Sequence, residues 1–428
     1  MNIEDTTRRE QFSQIKTEIC GSDQYLVVGI DVAKDKHHAF MGTATGKSLL
    51  RKLVFENNLD GFGKLLAHSQ AVKVRNALSK VVFGLEPTGN YHKPLAAYLI
   101  RCGCHVVLVT GKAVKNNREQ LDGRWDKNDD KDAANVADLV SRGRCLYYDL
   151  PSSDLGQLRQ VLSLRRRLKK EEHRLRMNIR NNLLAQYFPE LDAYYSGCEA
   201  ETLAIVSRCL DPTQIAGMEF DAFFTQVATK RRGIGQKLRL QKIHRSAIES
   251  VGCPMGPVVQ VEAQLLVNKL GLVRRQLKEA QEWMEDIACE FADYSYLLTI
   301  PGFGPYVAAT VLAAIGNPWR FDTAGQVLKL AGYDLSASRS GKNSDRAAAV
   351  ISKKGNSQLR YALYQAARVA SSRSRDFINY FTGLLRGRER ERGIKTKMRV
   401  KLAAKMLKIA WTLMKKKQVF NPDYLNKA

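Results

Sequence analysis

Apolar positions along this chain recur with two different periods, and the change of period divides it. Tyr25 to Ile30 is a short apolar run ending in Asp31. His38 to Met41 and Leu49 to Phe55 are two more, flanking the turn signal Ala44-Thr45-Gly46-Lys47. Runs of this length between turn residues predict three strands joined by tight connections. Val81 to Leu85, ending in Glu86, predicts a fourth strand and His105 to Val109 a fifth, with helices over Gly61 to Gln70 and Tyr91 to Ile100. Consecutive strands followed by alternating helix and strand describe a mixed α/β layer. Beyond Pro151-Ser152-Ser153-Asp154, which reads as a linker, the period lengthens. Val161, Leu164, Leu168 and Leu175 follow helical spacing. Val259, Ala263, Leu266, Leu270, Val273, Leu277, Ala280, Met284 and Ile287 then alternate steps of four and three without a miss. Such a seam predicts a coiled coil, either folding back on the first helix or pairing chains; a helix of a globular bundle is the alternative.

Three further segments carry charge or turn chemistry. Pro189 to Pro257 is less periodic and reads as a helical insertion with a basic face, marked by Lys230-Arg231-Arg232. Leu297 to Ile315 places a Pro-Gly-Phe-Gly turn between two apolar helices. This resembles a helix-hairpin-helix, whose glycine turn and following helix start suit a phosphate. From Arg386 to Lys417 thirteen basic residues stand against two acidic ones, around a stripe of Leu402, Met406, Ile409 and Leu413. That is a basic amphipathic helix, which docks on the body and offers lysines to a phosphate backbone.

Composition narrows the partner. The 428 residues carry 68 Lys and Arg against 43 Asp and Glu, a formal net charge of +25, with 44% hydrophobic residues to build cores. A folded protein this basic points to nucleic acid. No apolar run reaches membrane-spanning length and the charged N-terminus has no secretory core, so a cytoplasmic location and no membrane partner are expected. The eight cysteines lack paired metal spacing, as Cys102 and Cys104 illustrate.

The chemistry is expected from carboxylates. Asp31 ends the first strand in Gly29-Ile30-Asp31-Val32-Ala33-Lys34, and Glu86 ends the fourth in Gly84-Leu85-Glu86-Pro87-Thr88-Gly89-Asn90-Tyr91. Strand-end carboxylates of neighbouring strands point into one crevice. Asp129 and Asp132, three apart at the start of a helix running to Val140, share a helical face. Four such groups repel one another unless cations offset them. Two Mg²⁺ ions suit all-oxygen ligands and stabilise the attacking and leaving oxygens of a phosphodiester displacement.

These residues also carry a resemblance. GIDVAK, LEPTGNY and KNDxxDA, followed by IPGFGPYVAATVLAAIG, KLAGYDLSASRSGK and ISKKGNSQLRYALYQAA, resemble the two blocks of the Asp-Glu-Asp-Asp transposases of bacterial insertion sequences, with which Piv-type DNA invertases are grouped. The resemblance implies an N-terminal domain like the Holliday-junction resolvase RuvC, of ribonuclease-H-like fold. It implies a covalent serine nucleophile at Ser340, in Ser338-Arg339-Ser340-Gly341-Lys342, with Ser338 as the alternative. It further implies a structured bridge RNA that pairs with donor and target DNA while the protein reads backbone and shape. The expected organisation is a polar leader (1–22), a RuvC-like nuclease domain (23–150), a coiled-coil region (151–294) with an insertion at 190–257, and a mainly helical C-terminal domain (295–428). The expected activity is RNA-guided DNA transposition by dimers pairing into a tetramer, with the serine of one protomer meeting the carboxylates of another. Two other readings stand beside it: a resolvase that hydrolyses, and a non-catalytic nucleic-acid scaffold.

Overall fold

The computed structural model describes residues 3–121, 129–195, 199–229, 233–336 and 350–425. The chain divides into two compact units, Met1–Pro151 and Ser152–Ala428.

The first unit runs α1 (Ile3–Glu18), β1 (Tyr25–Asp31), β2 (Lys36–Thr43), β3 (Ser48–Glu56), α2 (Leu59–Arg75), β4 (Lys80–Leu85), α3 (His92–Arg101), β5 (His105–Leu108), α4 (Gly111–Leu121), α5 (Asp129–Ser141) and β6 (Leu146–Tyr147). The six strands form one sheet in the order β3-β2-β1-β4-β5-β6. β1, β4 and β5 are parallel to one another, whereas β2, β3 and β6 pair antiparallel. The five strands expected from the apolar runs are all present.

Strand alternation sorts the core into two faces. Leu26, Val28 and Ile30 pack with Phe62 and Leu65 of α2 and Leu95 and Leu99 of α3. Tyr25, Val27, Val82 and Val107 pack with Ile15 and Ile19 from the N-terminal segment, Val114 of α4, and Val136 and Val140 of α5. The leader is therefore part of this unit, with Ile15 and Ile19 buried. α5 lies flat on β1 and β4 because both strands carry glycine there. A Cβ at Gly29 would collide with the Ala133 carbonyl, and one at Gly84 would come within 2.5 Å of the Val140 side chain.

In the second unit α6 (Ser153–Asn178) starts at Ser152, whose hydroxyl accepts from the Leu155 N–H, and passes into a π-helical turn, Ile179–Leu184. The helix Pro257–Cys289 packs along α6 within the same chain. All nine seam residues from Val259 to Ile287 are buried or half-buried there. The insertion is packed rather than solvated: Ile205, Phe223, Leu240 and Ile243 share a core with Ala263, Leu270 and Val273. Lys237, Lys242 and Arg245 stay exposed, and Lys230 to Arg232 lie outside the described residues.

The hairpin helices are Ala292–Leu298 and Pro305–Ile315. The basic C-terminal helix, Ile394–Lys416, buries more than its predicted stripe. Ala403, Leu407, Ala410 and Met414 are inside together with Leu402, Met406, Ile409 and Leu413. It is a central core helix, and only Lys395, Lys397 and Lys401 on its first half are fully exposed among its basic residues up to Lys415. Among the described residues no helix is long and apolar enough to cross a membrane.

Candidate active site

Register and alternation bring Asp31 and Glu86 together. β1 and β4 pair in parallel with Ile30 opposite Leu85, and the Glu86 N–H extends the ladder to the Ile30 carbonyl at 3.3 Å. Asp31 shares the face of Gly29, and Glu86 that of Gly84, so both carboxylates lie on the α5 side of the sheet. Both are partly exposed.

The course of α5 brings in the other two. Just past its C-terminal end, Gly143 lies against Lys16 and Ile19, which lead into the start of β1. The Ala133 carbonyl lies over Gly29, near the other end of the strand. The helix thus runs antiparallel to β1, and its first residue, Asp129, lies at the Asp31 end; the Asp129 side chain is outside the described residues. Asp132 is buried, at 2% exposure. Arg118 of α4 approaches it with a short contact from Nη2 and donates from Nε at 2.9 Å, both to Oδ1. Among the described residues Oδ2 accepts no hydrogen bond.

Two features of α4 at this site escape the sequence reading, which assigns no helix there. A Cβ on Gly111, its first residue, would stand 2.7 Å from Glu86 Oε1. Below Arg118, Asn117 Nδ2 donates to Asn135 Oδ1 at 2.6 Å and Asp138 Oδ2 at 2.7 Å, and Asn135 Nδ2 to the Val114 carbonyl at 2.7 Å. Helix α4 therefore touches Glu86 at one end and grips Asp132 near the other. The available signal was the polar stretch Lys112 to Arg118 between a strand and the Asp129 helix.

His37 does not compete for the role. His37 is fully buried between Phe55 and Phe62, and its Nδ1 accepts from the Ala33 N–H at 3.3 Å, pinning the loop after Asp31. Burial holds its pKa below the ordinary 6.5.

Among the described residues no three His, Cys, Asp or Glu side chains gather into a metal-holding group. Asp31, Glu86 and Asp132 are nevertheless all hard oxygen donors on one side of the sheet, and Oδ2 of Asp132 has no hydrogen-bond partner among the described residues. This donor set fits a hard divalent cation in kind.

Ser340 and its alternative Ser338 lie outside the described residues. What is described is the frame on either side of them. β7 (Leu335–Ser336) pairs antiparallel with β8 (Val350–Ile351). Ser352 Oγ donates to Asp334 Oδ1 at 2.5 Å, and Arg360 Nη1 to the carbonyls of Ala331 and Gly355 at 2.8 and 3.1 Å.

Comparison with known proteins places both regions. A family model for transposases with the Asp-Glu-Asp-Asp signature matches residues 28–189. A second, described as the transposase IS116/IS110/IS902 family, matches residues 294–382. The chain belongs to this transposase family. An insertion element IS116 protein of 44.8 kDa from Streptomyces clavuligerus is 21% identical over 92% of this chain and 96% of its own length. The 43.6 kDa protein of insertion element IS110 from Streptomyces coelicolor is 26% identical over 81% of this chain and 84% of its own. The mini-circle transposase for IS117 from the same species is 25% identical over 70% and 74%. The transposase is thus a DNA-acting enzyme, and its family implies a divalent metal.

Proposed function

We propose that this transposase cuts and rejoins DNA strands with Asp31, Glu86, Asp129 and Asp132 as ligands for two Mg²⁺ ions and Ser340 as nucleophile. The observation that carries the metal site is the placement of Asp31 and Glu86 on one face of adjacent parallel strands, at the end where α5 begins. When bound, the ions supply charge neutralisation at the attacking and leaving oxygens. Ser340 Oγ forms a bond to phosphorus as the bond to the 3′ oxygen breaks, and the hydroxyl proton ends on the departing 3′-OH. The phosphoserine conserves the energy of the broken diester, and attack by a 3′-OH of a partner strand restores it. Arg339 and Lys342 offset charge at phosphorus. This role for Ser340 rests on the family resemblance.

Sequence choice is assigned to a bridge RNA pairing with donor and target DNA, again on the resemblance and on the charge of +25. The second unit supports backbone contact. Arg165, Lys169 and Lys278 line a cavity of about 460 Å³ floored by Gly304, Pro305 and Tyr306 at the hairpin. Arg165 stacks 4.2 Å above the Tyr306 ring. Dimers pairing into a tetramer would let the serine of one protomer serve the carboxylates of another.

The test is Asp31→Asn, Glu86→Gln and Asp129→Asn in a strand-cleavage assay beside a nucleic-acid binding assay. Each is expected to abolish cleavage, a loss of several kcal/mol of transition-state stabilisation, on the order of that given by a metal ligand set, with binding retained. Wild-type turnover in any one removes that residue from the site. Cleavage without a covalent adduct in the wild-type enzyme would instead favour the hydrolytic resolvase.

A further inference from the structure

We infer that Arg118 is a positioning residue: it holds Asp132 by one oxygen so that the other remains available to a divalent cation. The inference rests on the metal reading above and adds to it a residue on a different helix.

The geometry of the pair carries it. Arg118 Nε and Nη2 both reach Oδ1 of Asp132. Three other arginine–carboxylate pairs of this chain use both oxygens, whereas Arg142 meets Asp138 at Oδ1 alone. Arg180 donates from Nε to Asp192 Oδ1 at 2.6 Å and from Nη2 to Oδ2 at 2.8 Å. Arg174 on Glu171 and Arg388 on Glu391 are likewise two-pronged, one nitrogen to each oxygen. That parallel fork is the ordinary way a guanidinium meets a carboxylate. Arg118 instead loads one oxygen and leaves Oδ2 without a partner among the described residues.

Burial explains why such a device is required. The Asp132 side chain is 3% exposed and that of Arg118 20%, so the carboxylate has almost no water to orient it or to offset its charge. Asn117, next to Arg118, is tied to Asn135 and Asp138 of α5. The guanidinium is therefore carried on a helix fixed to the same helix as its target. Outer partners of this kind orient metal ligands and commonly change affinity 10- to 100-fold when removed.

Mn²⁺ binding to the full-length protein, measured by calorimetry or electron paramagnetic resonance, tests this apart from catalysis. Asp132→Asn and Arg118→Gln are each expected to weaken Mn²⁺ binding by about 10- to 100-fold. The double variant should bind no more weakly than Asp132→Asn alone, because Arg118 acts through Asp132. Arg118→Lys, which keeps the charge but lacks the planar fork, should fall between wild type and Arg118→Gln. If Arg118→Gln does not fold, Arg118→Lys and the double variant, which removes both charges, decide the matter. Unchanged or tighter Mn²⁺ binding on losing the guanidinium, or a full additional loss in the double variant, overturns the assignment. Wild-type protein that binds no Mn²⁺, or binding that Asp31→Asn leaves intact, removes the metal reading itself.

Discussion

At the residue scale, the site depends as much on small side chains as on charged ones. Gly111 is pressed against the Glu86 carboxylate, and the first atom a new methyl would meet is the tip of a flexible side chain. Gly111→Ala should therefore leave folding almost untouched, within about 0.5–1 kcal/mol, while displacing Glu86. Misplacement of a reacting group by about an ångström costs up to roughly 100-fold in rate. Cleavage at unchanged melting temperature is the measurement, and a wild-type rate would show that Glu86 needs no fixed position. Asp31 and Glu86 were legible in the sequence because strand-end carboxylates follow directly from apolar runs. Arg118 was not, because a guanidinium fourteen positions from its partner leaves no periodic trace.

Elements were legible in proportion to their apolar content. β1 to β5 each carry a run long enough to show; β6 has two residues and takes its place from pairing with β5 alone. α1 and α4 are mostly polar and join the core through few residues, Phe12 and Ile15 from the one and Ala113 and Val114 from the other. The nine-residue seam of Pro257–Cys289 predicts a buried face, and all nine residues are buried or half-buried, yet periodicity leaves open what it packs on. Here the answer is α6 and the insertion. Leu270 is fully buried whereas Leu265 is 64% exposed on the same helix. Leu270→Ala is expected to lower stability by about 2–5 kcal/mol, and Leu265→Ala to change it by no more than about 0.5 kcal/mol. Equal losses in chemical denaturation would mean that the exposed leucine is also covered. The C-terminal helix teaches the complementary lesson. Its lysines advertise a surface helix, but its small alanines let neighbouring helices close around it.

For the whole molecule, charge and histidine burial set the response to solution conditions. His37, His92 and His105 all lie in the first unit, and burial lowers the pKa of each from the ordinary 6.5; for His105 the charges of Lys80 and Arg8 add to the effect. The unfolded chain takes up these protons first as pH falls. Stability is thus fully present above about pH 6.5 and declines below it, before carboxylates begin to titrate near about 4. Thermal melting followed from about pH 7.5 to 5.5 should show a falling midpoint; a flat profile would mean that these rings are charged when folded.

The two units hold different parts of the proposed chemistry, carboxylates in the first and serine in the second, so the account stands on their joint action. Its most direct test is a denaturation-resistant protein–DNA adduct, formed with Mg²⁺ on a nicked suicide substrate in the presence of guide RNA. Wild-type protein should yield the adduct, and Ser340→Ala should abolish it without loss of RNA binding. Asp31→Asn should abolish it as well. Mixing the two inactive proteins should restore a fraction if serine and carboxylates meet across protomers. An adduct that persists in Ser340→Ala would contradict the account and turn attention to Ser338.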